Sequence, residues 1–255
     1  RYSRQSCQIP NVHCCSSLSF NIDNIIIHDP DKINGQMVIV TKKSNCSKLD
    51  IDRLESPLYI IAKENYFGKL FRWRDNVKIL NLGSLNVDIT YLVDHVVAPG
   101  ETIKASRRER FCGGKGLNQS IALAKAGAQV YHAGCIGRDG EMLSTMLRNA
   151  GVDIRFLEQV DEPSGHAIIQ VDEKGQNSIV IYGGANTCVT TEYIDQVIAN
   201  FDCGDVLLLQ NEISNIDYAI QAAARQGMRV ALNPSPFDER LLDCDLRKVS
   251  WLILN

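Results

Sequence analysis

From residue 77 onward the chain alternates short apolar runs with segments of helical period, and this alternation limits the folds open to it more than any other feature. "VKILNLGS" reads as a buried strand that exits through a glycine. "QVYHAGCIG", "VLLLQ", "RVALN" and a last run, "WLIL" at 251–254, have the same character. Between them Leu117, Ile121, Ala124 and Ala128 recur at helical spacing, and Met142, Leu143, Met146, Leu147 and Ala150 form a second such face. Ile194, Val197, Ile198 and Phe201 form a third, and Ile216, Ala219, Ile220 and Ala223 a fourth. Gly127, Gly151 and Gly227 stand where helices of this kind stop. Strand and helix in succession predict an α/β fold with a mainly parallel sheet covered by helices on both faces.

Two stretches depart from that rule. In "SGHAIIQVDEKGQNSIVIYGGAN" Ala167, Ile169 and Val171 alternate with His166, Ile168, Gln170 and Asp172, and Lys174-Gly175 makes a turn. Such alternation predicts a half-exposed antiparallel hairpin rather than a buried parallel strand. Residues 95–112 read as extended and irregular, with a turn at Pro99-Gly100. Both are expected outside the main sheet, as a small β-lid over one end of it.

Residues 1–76 have a different character: a basic excess, no sustained period, and strand-like runs "NIIIH" (24–28), "QMVIV" (36–40) and "SPLYIIA". The domain division read from this is 1–76, an accessory module or a bare extension, and 77–255, the α/β domain. The first residue is Arg1, and Asn255 follows directly on "SWLIL", so the reading expects a C-terminally truncated portion of a longer domain.

Composition narrows the function classes. A net charge of −3 and a pI near 6.0 give no global pull toward nucleic acid or membrane surfaces. The apolar runs are strand-sized, and none is long enough for a bilayer. The nine cysteines form no C-x-x-C pairs, which fits reduced thiols in the cytoplasm better than a disulfide framework or a zinc site.

The chemistry concentrates in "RFCGGKGLNQSIALAKAGA". Glycines around a lysine before a helix suggest a phosphate loop, yet Lys115 is followed by Gly116, which breaks the G-x-x-x-x-G-K-[ST] pattern. The G-x-G-x-x-G fingerprint fails as well. What remains is a glycine turn that brings backbone close to a ligand, with Lys115 and Asn118 at a helix start, or else an ordinary glycine-rich turn. Asn86 and Asp88 in "GSLNVD" follow the first strand at i, i+2, and Glu212 in "LLLQNE" follows another. Ligands of open α/β sheets bind beyond such carboxyl ends, and carboxylates there accept hydroxyl groups of a polyol.

Taken in order, "GSLNVD", "FCGGKGLNQSIALAKAGA", "GCIGRDGEM", "SGHAIIQVDEKGQNSIVIYGGAN", "LLLQNE", "ALNPSP" and "LILN" resemble the ribokinase-type PfkB carbohydrate-kinase family. The resemblance implies ATP-dependent phosphorylation of D-ribose, with Mg²⁺ and a monovalent cation, K⁺, as cofactors. It places Asn86, Val87 and Asp88, Gly114, Lys115, Gly116, Leu117 and Asn118, and Glu212 at the sugar. It places Asn255 near the nucleotide phosphates, as the first residue of an N-x-x-E motif, and implies a homodimer formed through the lid. The G-A-G-D segment that carries the family's catalytic aspartate lies beyond Asn255, so no catalytic residue is expected in this chain and turnover by it is not expected. Two other readings remain: a sibling kinase for another sugar or a nucleoside, and a non-catalytic sugar sensor whose output module is 1–76.

Overall fold

The computed structural model of the chain describes residues 24–27, 38–41 and 77–254. In the first section β1 (Asn24–Ile27) and β2 (Val38–Thr41) pair antiparallel, Asn24 opposite Thr41 and Ile27 opposite Val38. This matches the two runs read as strands there. The run "SPLYIIA" lies outside the described residues.

The main sheet has six strands, all parallel: β3 (Lys78–Leu82), β6 (Gln129–Ile136), β7 (Asp153–Gln159), β10 (Val206–Gln210), β11 (Arg229–Asn233) and β12 (Val249–Leu252). Their order across the sheet is β12-β11-β10-β3-β6-β7. A strand covered on both faces is apolar on both, and β10, "VLLLQ", is buried throughout. Its side chains alternate between two layers. Leu207 and Leu209 join Leu80, Leu82 and Leu232 under α3 (Thr191–Ile198) and α4 (Ile216–Gln226). Val206 and Leu208 join Ile79 and Ala231 under α1 (Lys115–Lys125) and α2 (Glu141–Asn149). Helices on both faces of a parallel sheet are the expected architecture.

The local readings need four corrections. In α1 the buried stripe is Gly116, Leu117, Ser120 and Leu123, with Ile121 and Ala124 only partly covered, because buried polar partners accommodate Ser120. In α2 Met146 is 44% exposed while Leu143, Ser144 and Leu147 face inward. The last strand runs Val249–Leu252 rather than 251–254, since its ladder with β11 begins at Val249. Finally, β7 and β4 (Asn86–Leu92) are strands that the pattern did not reveal.

β4 belongs to a second, four-stranded sheet with β5 (Arg107–Gly113), β8 (Gly165–Val171) and β9 (Asn177–Tyr182), in the order β5-β4-β8-β9. β8 and β9 form the expected antiparallel hairpin, and the 95–112 stretch supplies β5. β4 pairs parallel to β8, with Asn86 opposite Gly165. This smaller sheet grows from the carboxyl ends of β3 and β7 and returns to the body through Gly114 and the 3-10 turn Gly184–Cys188. The site lies where the two sheets meet.

Candidate functional site

The first turn of α1 is pressed against the link between β3 and β4. A Cβ on Gly116 would collide with the backbone of Gly83 and Ser84, and Gly114 takes φ +97°, which other residues rarely adopt. That approach lets Ser84 serve the helix start. Its carbonyl accepts from Leu117 N at 3.0 Å and its hydroxyl oxygen accepts from Gly116 N at 3.2 Å.

α1 has no capping side chain of its own and no acidic residue in its first turn. Glu212, just past β10, supplies the missing anion from another element. Its Oε2 accepts from Lys115 N at 3.0 Å and from the Ser84 hydroxyl at 2.5 Å, while Oε1 accepts from Lys115 Nζ at 2.6 Å. A carboxylate at a helix N-terminus is stabilised by the helix dipole as well as by these donors. Lys115 and Glu212 therefore act as one unit.

β4 brings Asn86 and Asp88 to one face, and the glycines opposite give them room. Gly113 on β5 has no side chain, and the Asp88 carboxylate leans over the space a Cβ would fill. Burial and the nearby negative charge of Glu212 both push the Asp88 pKa above its ordinary value. On the other side, Gly165 leaves space for Asn86 Oδ1, which accepts from Asn186 Nδ2 at 2.7 Å.

Beneath this floor runs a buried polar chain. Gln210 Nε2 donates to Asn81 Oδ1 at 2.9 Å and to Gln119 Oε1 at 2.6 Å. Asn81 Nδ2 donates to Gly116 O and to Ser120 Oγ, both at 2.7 Å. Ser120 Oγ lies 2.7 Å from His132 Nδ1. Burial lowers the His132 pKa to about 4, so the ring is neutral at pH 7.

Of the residues read from the sequence as site residues, Asn86, Asp88, Gly114, Lys115, Gly116 and Glu212 come together at the carboxyl end of the main sheet. The Leu117 and Val87 side chains instead enter the core below, so these two can offer a ligand only backbone. Asn118 is exposed on the first turn of α1, and its N–H donates to Gly114 O at 3.1 Å. Asn255 lies outside the described residues. Sequence reasoning missed Ser84 and Asn186; both stand inside the quoted motifs, but nothing in their spacing signals a partner 101 to 128 residues away.

Two carboxylates, a primary amine and a side-chain amide around one opening suit a ligand whose hydroxyl groups both donate and accept. Among the described residues no group of three or more His, Cys, Asp or Glu is placed to hold a metal ion. Among them, too, no helix is long and apolar enough to cross a membrane.

Comparison with known proteins points the same way. Ribokinase from Haemophilus influenzae is 37% identical over 160 residues, which cover 61% of this chain and 52% of that protein. The chain thus spans about half the length of the curated relatives it matches. Crystallised ribokinase from Cryptococcus neoformans var. grubii serotype A, in complex with ADP, superposes with a TM-score of 0.62 at 37% identity, over 71% of this chain and 57% of that one. Arabidopsis thaliana ribokinase complexed with ribose and ATP gives a TM-score of 0.58 at 30% identity, over 70% and 60% of the two chains. Residues 76–255 match the family described as pfkB family carbohydrate kinase, and the chain belongs to that family.

Proposed function

We propose that the chain provides the sugar half of a ribokinase, which transfers the terminal phosphoryl group of ATP to D-ribose and forms D-ribose 5-phosphate. The observation that carries this reading is the convergence of Asn86, Asp88, Lys115 and Glu212 at one opening beside the smaller sheet. Ribokinases at 30% identity or more share the fold, and one of them was crystallised with ribose and ATP.

In the reaction the sugar hydroxyl oxygen attacks the terminal phosphorus, the bond to the bridging oxygen breaks, and ADP leaves. Mg²⁺ and K⁺, which the family resemblance implies, would supply charge neutralisation during phosphoryl transfer. The family resemblance assigns the proton acceptor to the aspartate of a G-A-G-D motif, while the residues here bind and orient. Asp88 accepts from sugar hydroxyls, and Lys115, held by Glu212, donates. The α1 N-terminus adds its positive potential. The smaller sheet excludes water when a sugar lies beneath it. Its Asp88 face also carries Phe111 and Ile181, 50% and 60% exposed, as cross-strand neighbours. Apolar side chains this open favour a second copy of the lid, giving a homodimer. The enzyme would work in the cytoplasm, where ATP is supplied.

Calorimetric titration with D-ribose tests the reading for this chain, and formation of D-ribose 5-phosphate is expected only from a protein that also carries the G-A-G-D aspartate. Absence of D-ribose binding at millimolar sugar would sink it.

A further inference from the structure

We propose that Asn186 is a positioning residue: it holds the Asn86 carboxamide with its NH₂ group toward the ligand, so that Asn86 donates to a sugar hydroxyl and does not accept from one. The ligand in this statement rests on the ribokinase reading above. The orientation of the amide rests on the protein's own hydrogen bonds.

Asn186 sits in the 3-10 turn Gly184–Cys188 and is 2% exposed. Its side chain faces the main chain of Leu85. Asn186 Oδ1 accepts from Leu85 N at 2.9 Å, and Nδ2 donates to Leu85 O at 3.3 Å. A carboxamide can usually be turned over with little change in shape. Here it cannot, because a backbone N–H never accepts and a backbone carbonyl never donates. The backbone of Leu85 thus fixes which end of Asn186 is which.

The second Nδ2 hydrogen then fixes Asn86. It reaches Asn86 Oδ1 at 2.7 Å, so that oxygen is spoken for and the Asn86 NH₂ is left over. The Asn86 NH₂ has no partner among the described residues and is not among their buried unpaired polar atoms, so it stays open to the site. Gly165 completes the arrangement. A Cβ there would collide with both Asn186 Nδ2 and Asn86 Oδ1, so any larger residue would force the pair apart. The turn is also tied to the loop that follows Glu212, since Ser214 N donates to Asn186 O at 3.3 Å.

β4 therefore presents two groups of opposite polarity on one face, an amide donor at position 86 and a carboxylate acceptor at 88. A hydroxyl matches both, its hydrogen going to Asp88 and its oxygen accepting from Asn86. A sugar without that hydroxyl leaves both groups unpaired, which is how a site rejects an analogue that lacks one polar group.

The test uses the ¹⁵N-labelled full chain, side-chain amide exchange by NMR, and calorimetry with D-ribose. In the wild type without sugar, the Asn186 NH₂ should exchange roughly a hundredfold more slowly than the Asn86 NH₂, as buried bonded groups do. Asn186→Asp keeps the shape but replaces the donor with an acceptor. Asn86 should then turn over, its NH₂ should become the protected one, and D-ribose affinity should fall about ten- to hundredfold. Gly165→Ala keeps both amides, separates them, and should weaken D-ribose binding to a similar degree.

A purely structural role for Asn186 would lower the melting temperature without exchanging the protection of the two amides. The proposal is overturned if the Asn86 NH₂ is the protected one in the wild type. It is equally overturned if Asn186→Asp binds D-ribose within about twofold of wild type. Should Asn186→Asp fail to fold, the wild-type exchange pattern and Gly165→Ala decide. Wild-type protein that binds no D-ribose overturns the sugar reading alone, because amide exchange still decides the orientation.

Discussion

Glu212 holds Lys115 at both ends: one carboxylate oxygen lies 2.6 Å from the lysine Nζ and the other 3.0 Å from its backbone nitrogen. The glycine-rich loop is therefore pinned by a residue just past β10, and in the proposed reading it faces the sugar. In a protein that also carries the nucleotide half of the site, Lys115→Ala should weaken D-ribose binding about tenfold or more, by loss of a charged donor, while an ATP analogue binds as before. Separate titrations of the two ligands check this. A fall in nucleotide affinity with ribose binding intact would make the loop a phosphate site. Glu212→Gln should weaken ribose binding too, and should also lower the melting temperature, because the start of α1, which has no acidic residue in its own first turn, loses an anionic partner.

Asp88→Asn should separate stability from function. The folded state binds the Asp88 proton more tightly than the unfolded chain does, so its contribution is favourable at low pH and is lost as pH rises through the raised folded pKa. At neutral pH the buried carboxylate is thus a net cost, and Asp88→Asn should raise the melting temperature. The same change removes charge-assisted hydrogen bonds of about 1.5–3 kcal/mol, which is a ten- to hundredfold loss of D-ribose affinity. Calorimetry and thermal melts at pH 7 read the two effects, and a variant that is less stable than wild type contradicts the electrostatic account.

His132 should make the protein acid-sensitive. Its pKa falls from 6.5 to about 4 on burial, so the unfolded chain takes up a proton that the folded chain refuses. Stability is complete above pH 6.5 and declines as pH falls toward 4, by roughly 1.4 kcal/mol per unit and about 3 kcal/mol in all. Urea unfolding at pH 7, 6 and 5 measures the slope, and His132→Asn should flatten it. An equal slope in both proteins would remove His132 as the cause.

Gly116→Ala should be costly although alanine favours helices. The added methyl meets the backbone of Gly83 and Ser84, which has nowhere to go, and overpacking of this kind costs about 1–3 kcal/mol. Ribose affinity should fall with it. Gly127→Ala meets no atom within 4 Å and suffers only from its φ of +87°, so it should lose about 1–2 kcal/mol and bind ribose normally. Equal ribose affinity in both variants would separate the close approach from the site.

Ile181→Lys on the Asp88 face of the smaller sheet should convert a dimer to a monomer in light scattering. A wild-type protein that is monomeric at every concentration tested would refute the lid dimer.

How legible all this was depended on how local each determinant is. β10 announces itself because five successive buried residues need no partner to be recognised. β4 does not, although "NVDITYL" alternates, because Asn and Asp are poor strand formers. β5 and β8 on either side hold it extended. Ser120 and His132 interrupt the apolar pattern of α1 and β6, and only the fold shows that Ser120 Oγ and His132 Nδ1 pair with each other. Asp88, Lys115 and Glu212 could be named from strand ends and motifs. That Glu212 caps α1, or that Asn186 addresses Asn86, depends on contacts between residues about a hundred positions apart, which no local pattern encodes.

The parallel pairing of β4 with β8 also sets an order of assembly. Asn86 meets Gly165 only after β5, α1, β6, α2 and β7 have been traversed, so this ladder closes the longest loop in the smaller sheet. The entropy of that closure is lost before its contacts form, unless β3, β6 and β7 are already aligned in the body. The body strands should therefore acquire hydrogen-exchange protection first and the β4–β8 ladder last during refolding. A sugar present in the refolding buffer would then act on the final stage alone, trapping a finished site without guiding the chain toward it.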